Sequence, residues 1–161
     1  MLKAYSDYLK QSTQKLPLLI ADLKGDVIDQ ILEEENIREI KSYIHAPGYI
    51  ANTDLAALYC GAFAFLYPSL RESFGIPMLE AMACGTPIIA GNTSAMPEIA
   101  GEGALLADPF NSNDITKKIL QLENDQTLYQ QPVEYRIQRS QLFSWRNTAE
   151  SLLKIYKEFA K

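Results

Sequence analysis

A doubly wound, parallel α/β sheet is the fold that the sequence predicts. Three observations carry the expectation: five short apolar runs recur along the chain, segments of helical period separate them, and the runs are near-continuous in apolar residues, as strands covered on both faces require. The length of 161 residues suits one ordinary domain. Apolar residues make up 47% of the chain and charged residues 22%, the balance of a globular protein and not of a disordered one.

The elements follow in order. Leu2, Tyr5, Tyr8 and Leu9 fall near helical spacing, so the first fourteen residues read as a surface helix. Leu16 to Ala21 (LPLLIA) is the first strand, and Asp22 to Gly25 turns the chain. Val27, Ile28, Ile31 and Leu32 give a helical stripe, with Glu33, Glu34 and Glu35 at its solvated end. Ser42 to Ala46 (SYIHA) is the second strand, ended by Pro47-Gly48. Asn52, Thr53 and Asp54 supply an N-cap for the small-residue helix LAALYCGA. Ala62 to Pro68 (AFAFLYP) is the third strand. Pro77 suits the first turn of the next helix, which needs no N–H there, and Gly85 suits its end. Pro87 to Ala90 is the fourth strand. Ser94 is expected to cap a short helix through Ile99, and Gly103 to Asp108 is the fifth strand. Beyond Ser112 the pattern is helical: a stripe of Ile115, Ile119 and Leu122, a helix over Gln126 to Ser140, and a last helix after Phe143-Ser144-Trp145 with an apolar face of Leu152, Leu153, Ile155, Tyr156 and Phe159.

The formal charge of −5 and the lack of a basic stripe interleaved with aromatics argue against a nucleic-acid partner. Cys60 and Cys84 lie in apolar, small-residue contexts and read as reduced core thiols. His45, the single histidine, reads as a strand or core residue and not a catalytic base. One histidine and two dispersed cysteines make a zinc site improbable, so no metal is expected. The N-terminus has no apolar stretch of signal-peptide type, and no run reaches the length of a membrane span. A cytoplasmic location is expected, at the membrane periphery in any longer protein that contains the chain. Gly101-Glu102-Gly103 precedes a strand instead of joining a strand to a helix, which sets a dinucleotide oxidoreductase aside.

The segment Pro68 to Glu98 is the most informative part of the chain. Glu72 and Glu80, with seven residues between them, flank Ser73-Phe74-Gly75-Ile76 at a strand-to-helix junction. In a parallel sheet such a junction lies at the strand C-termini, where ligands bind. Gly75 lets a ligand approach the backbone, and N–H groups at the helix start lack intrahelical partners. Carboxylates that take hydroxyls and a helix N-terminus that takes phosphate can together hold a phosphorylated sugar. Each residue also has a plain alternative: Glu80 as a first-turn acid favoured by the helix dipole, and Glu72 as a solvated loop acid. The combination favours the functional account.

On these residues the sequence resembles the C-terminal half of the group 1 glycosyltransferases, retaining enzymes of the two-domain GT-B fold. The resemblance rests on YPSLRESFGIPMLEAMACGTPIIA, on SAMPE at Ser94 to Glu98, on ALLADP at Ala104 to Pro109, and on FSW at Phe143 to Trp145. It implies a Rossmann-like sheet forming a nucleotide-sugar-binding domain over residues 1–161. It implies that Glu72 approaches the transferred sugar as the catalytic residue, that Ser73, Phe74, Gly75 and Ile76 contact sugar and diphosphate, and that Glu80 bonds the ribose. Tyr49, Ile50 and Ala51, after the second strand, are weaker candidates for contact with the base. The donor is a nucleotide-diphosphate-sugar, with no further cofactor. Transfer with retention needs preorganised donors at the leaving diphosphate.

The resemblance also implies gaps. Relatives carry an N-terminal acceptor domain, then a first strand and a loop whose Arg and Lys clamp the diphosphate. None is recognisable here, and Lys3 already lies within the first helix. The chain alone is therefore expected to be inactive, and the missing strand to leave a gap in the sheet or an edge through which a homodimer could form. The alternative is a non-catalytic nucleotide-sugar-binding or interaction module of the same fold. A nucleotide-sugar epimerase fits the EAMACGTP pattern less well. Sugar and base stay open, although the Ser-x-x-Pro-Glu block resembles transferases that build surface polysaccharides, often with mannose-type donors.

Overall fold

A computed structural model of the protein describes residues 1–125, 127–128 and 133–160. Helices and strands alternate: α1 (Leu2–Gln11), β1 (Leu18–Ala21), α2 (Gly25–Glu34), a 3-10 turn (Arg38–Tyr43), β2 (Ile44–Gly48), α3 (Asn52–Gly61), β3 (Phe65–Tyr67), α4 (Ile76–Ala83), β4 (Ile88–Gly91), α5 (Met96–Ala100), β5 (Leu105–Ala107), α6 (Ser112–Asn124), α7 (Val133–Gln141) and α8 (Trp145–Phe159). Every strand pairing is parallel.

The strands form two sheets and not one. β1 pairs with β2 through Leu18↔Ile44, and β4 lies between β3 and β5 through Tyr67↔Ala90 and Ile89↔Leu105. β4 alone is buried at every position. Its alternate residues feed two cores, as period-2 geometry dictates. Ile89 joins α1, α2 and α6 (Tyr5, Tyr8, Leu32, Ile115). Ile88 and Ala90 join α4 and α5 (Met78, Met82, Met96, Ile99) on the opposite face. Helices thus cover both faces here, the doubly wound arrangement expected. In β1 and β2 the expectation of burial on both faces fails: Leu18, Ile20 and Ile44 pack inward, while Leu19 and His45 are exposed.

Local chemistry explains the ends of α4. Gly75, at φ +92°, is its N-cap, and Pro77 occupies the first turn. At the other end Gly85, at φ +72°, closes a Schellman motif in which Thr86 N–H donates to Ala81 C=O and Gly85 N–H to Met82 C=O. The buried Arg136 of α7 donates from Nε to the Gly85 carbonyl at 3.0 Å, placing a cation at that helix C-terminus.

Several local expectations are corrected. Ala51, not Asn52, Thr53 or Asp54, caps α3, and no side chain bonds its first turn. Ala95 caps α5, leaving Ser94 at φ +57° for another role. Cys60 is exposed and Cys84 half-buried, so neither is a core thiol: α3 buries none of its residues. The helix expected over Gln126 to Ser140 is seen from Val133 onward, and its start falls partly outside the described residues. The apolar face of α8 exists, but no α8 residue is buried, and Trp145 and Phe159 are more than four-fifths exposed, at 83% and 85%. No described helix is long and apolar enough to cross a membrane.

Candidate functional site

β3 delivers the chain to the site. Phe65 and Tyr67, two residues apart, point to the α4 side, while Leu66 points to the other core. Tyr59 from α3 meets Phe65 edge-to-face at 5.1 Å, and Phe65 stacks on Tyr67 at 5.3 Å. These distances lie within the range of favourable ring pairs. The result is a three-ring ladder with a hydroxyl at each end.

Each terminal hydroxyl holds one of the two glutamates. Tyr67 donates to Glu72 Oε1 at 2.7 Å, and Ser69 Oγ donates to the same oxygen at 3.0 Å. Tyr59 donates a longer bond, 3.4 Å, to Glu80 Oε2. Burial and then the hydrogen bond to Glu72 push the Tyr67 hydroxyl up to about 12. Burial and then the charge of Glu80 push Tyr59 up to about 12. Both tyrosines therefore stay neutral donors across ordinary pH.

The loop between the glutamates is fixed from below. Glu72 N–H donates to Ser94 Oγ at 3.3 Å, so Ser94 supports the loop instead of capping α5. Thr93 Oγ1 donates to the Leu70 carbonyl at 3.1 Å. Phe74 meets Phe143 edge-to-face at 5.7 Å, and the Arg139 guanidinium lies 5.1 Å from the centre of the Phe143 ring. The FSW segment thus supports the turn from the far end of the sequence.

Gly75 is buried against Met96, and Phe74 and Ile76 are exposed at 40% and 50%. Met78 and Leu79 N–H groups already donate to Gly75 C=O, and Pro77 has none to offer. Of the α4 first turn, only the Ile76 N–H remains outside this ladder, fewer donors than the sequence led us to expect. Glu80 is the fifth residue of α4, beyond its first turn, and exposed. That removes its plain alternative as a first-turn acid.

Tyr49, Ile50 and Ala51 follow β2 at its C-terminal end, and Tyr49 is 78% exposed. Among the described residues no hydrogen bond, ion pair or ring contact joins these three to the glutamates. Sequence reasoning missed Tyr59, Tyr67, Ser69 and Ser94 as partners of the glutamates. The i, i+2 spacing of Phe65 and Tyr67 before Pro68 was the available signal for the ladder. Among the described residues no group of three or more His, Cys, Asp or Glu could hold a metal ion.

A Rossmann-like half-domain with paired glutamates beyond a parallel strand defines the class, and comparison with known proteins agrees. The family described as glycosyl transferases group 1 matches residues 1–139, and the chain belongs to that family. It is 34% identical over 160 residues to the O-antigen chain mannosyltransferase B of Escherichia coli, covering 98% of this chain and 41% of the relative. Among solved structures it resembles a sucrose-phosphate synthase from Thermosynechococcus elongatus, with TM-score 0.77, 25% identity, and coverage of 98% of this chain and 42% of that one. It also shares the fold of the Anabaena HepE protein solved in complex with UDP-glucose, with TM-score 0.77, 20% identity, and coverage of 94% of this chain and 44% of that one. These neighbours are GT-B glycosyltransferases, and the chain matches one Rossmann-like half of that fold. It spans about two-fifths of the length of the mannosyltransferase, 41%.

Proposed function

We propose that residues 1–161 form the donor-binding half of a retaining glycosyltransferase that moves a hexose from a nucleotide-diphosphate-sugar to a glycan or lipid-linked acceptor. The observation that carries this is the pair of glutamates, each held by a tyrosine of one aromatic ladder. Glu72, fixed through one oxygen, keeps its other oxygen for sugar hydroxyls. Glu80, one helical turn into α4, takes the ribose hydroxyls. Ser73, Phe74, Gly75 and Ile76 lie between them, where the diphosphate would run, and the Ile76 N–H is a backbone donor offered to it. Tyr49, Ile50 and Ala51 would approach the base. Family membership, and a neighbour of the same fold solved with UDP-glucose, support a nucleotide sugar as the ligand. The O-antigen mannosyltransferase similarity supports a mannose-type donor and a role in polysaccharide synthesis.

Chemistry needs more than this half supplies. The leaving diphosphate gains negative charge in the transition state, and a cleft that sets two carboxylates beside it stabilises that charge poorly. The acceptor also has to be oriented, a large part of any transfer rate. The isolated 161-residue chain is therefore expected to bind donor without transferring sugar. Calorimetric titration with GDP-mannose and UDP-glucose tests the binding. Saturable binding that is lost in Glu80→Ala supports the assignment. Unchanged affinity in that variant would sink the ribose role, and an ordinary transfer rate would sink the inactivity.

A further inference from the structure

Cys60, the penultimate residue of α3, is exposed, and Cys84, the C-cap of α4, is half-buried beside it. The Cys60 thiol is near enough to the Cys84 thiol to act on its ionisation. The Cys84 thiol also donates to the Ala56 carbonyl at 3.7 Å. Ala56 lies one turn before Cys60, so Cys84 sits against the face of α3 that carries Cys60. Thr86 Oγ1, two residues beyond Cys84, donates to the carbonyl of Tyr59 at 2.7 Å, pinning the same two chain ends. The pair is not core packing, and the glutamates make no use of it.

We propose that Cys60 and Cys84 form a reversible oxidation site, in which a low-molecular-weight disulfide converts the two thiols into a disulfide that joins α3 to α4. Cys60 is the entry point, because it is the accessible one. Its thiolate attacks one sulfur of the oxidant, forming a mixed disulfide and releasing one small thiol. The Cys84 thiol then loses its proton to water and attacks the Cys60 sulfur, and the second small thiol leaves. Two protein thiols are oxidised and one disulfide is reduced to two thiols. Burial and then the neighbouring Cys60 thiol push the Cys84 thiol up to about 11, so the second step is the slower one. The linkage would bracket β3, the glutamate loop and α4. It would lie one turn beyond Glu80 and beside Tyr59, fixing that pair whatever ligand the cleft takes.

The test is equilibration of the chain in buffers of reduced and oxidised glutathione, followed by acid quench, alkylation and peptide mass spectrometry. The expected product is a Cys60–Cys84 cross-linked peptide, two hydrogens lighter than the sum of its reduced halves. Its equilibrium constant should be at least about tenfold higher in the folded chain than in urea, because folding pre-positions the thiols. Cys84→Ser should accumulate a stable glutathione adduct on Cys60, and Cys60→Ser should stay unmodified at Cys84. Failure to cross-link, a wild-type chain that stops at the Cys60 adduct, or an equal constant in urea would each overturn the proposal.

Discussion

Tyr67, the last residue of β3, donates a 2.7 Å hydrogen bond to the carboxylate of Glu72, five residues further along the loop. Its ring is stacked on Phe65, so the donor is held rigidly while the acceptor sits in a loop. Removing the hydroxyl should leave the fold intact and free Glu72 to rotate. Tyr67→Phe is expected to cost about 1 kcal/mol of nucleotide-sugar affinity, roughly fivefold, with little change for the nucleotide diphosphate alone. Calorimetry with both ligands measures the split. An equal loss for both would place Tyr67 at the nucleotide and not at the sugar. The sign with pH follows from a tyrosine raised to about 12. Its contribution is complete below the ordinary tyrosine value and fades only as pH climbs from about 10 towards the folded value. The difference between Tyr67→Phe and wild type should therefore be flat from neutral to mildly alkaline pH.

Gly75 stands at φ +92°, where a side chain strains the backbone, and an added Cβ would overlap the Met96 methyl. Gly75→Ala is expected to lower stability by about 1–2 kcal/mol and to move the Phe74-Gly75-Ile76 turn. The cause can be divided with Met96→Ala, which empties the contact at the cost of a cavity. In the double variant the two losses should be less than additive in thermal or urea unfolding. Strict additivity would assign the whole effect of Gly75→Ala to backbone strain.

The alternation of β3, β4 and β5 with α4, α5 and α6 was legible because each strand is a continuous apolar run, proline and glycine punctuate α4, and Ile115, Ile119 and Leu122 give α6 a helical stripe. The place of Glu72 and Glu80 was legible because Pro77 and Gly85 mark the limits of α4. The division into two sheets was not, since no local pattern in Leu18–Ala21 or Phe65–Tyr67 states which strand pairs with which. Ser94 was misplaced for a related reason. A serine before a short helix carries the local signature of an N-cap, but its φ of +57° turns the hydroxyl to Glu72 N–H, a tertiary contact across more than twenty residues of sequence. Cys60 and Cys84 misled likewise: an apolar neighbourhood in sequence predicts burial only if something packs over it, and α3 buries none of its residues.

Gly91, at the end of β4, has a different constraint from Gly75. Its φ is ordinary, but an added Cβ would stand 2.6 Å from the Ser69 carbonyl oxygen. That oxygen is backbone and cannot rotate aside. Ser69 also holds Glu72, and Thr93 bonds the neighbouring Leu70 carbonyl. Gly91→Ala should therefore push the loop outward as a unit, with an overpacking cost of about 1–3 kcal/mol. Nucleotide-sugar affinity should fall further in Gly91→Ala than in Tyr67→Phe, because both Ser69 and Tyr67 lose their line to Glu72. A Gly91→Ala chain that binds donor normally would show that this loop adapts without consequence.

Away from the site, Glu123 of α6 fastens the segment that follows α1. Ser12 Oγ donates to both carboxylate oxygens, at 3.0 and 2.8 Å, and Gln14 N–H donates at 3.4 Å. Burial pushes the Glu123 carboxyl up, but hydrogen bonds from Tyr8, Ser12 and the Gln14 and Thr13 backbone outweigh it and hold it below its ordinary value. A carboxylate held low in the folded state adds stability that is complete above its unfolded value, about 4.3, and is lost as pH falls through the folded value. Glu123→Gln should therefore melt below wild type at pH 7, and the two melting temperatures should converge as pH falls below about 4. Hydrogen exchange of the α1 amides should follow the same pH course if the bond secures that helix. A difference in melting temperature that stays constant down to acid pH would mean that Glu123 acts through packing alone.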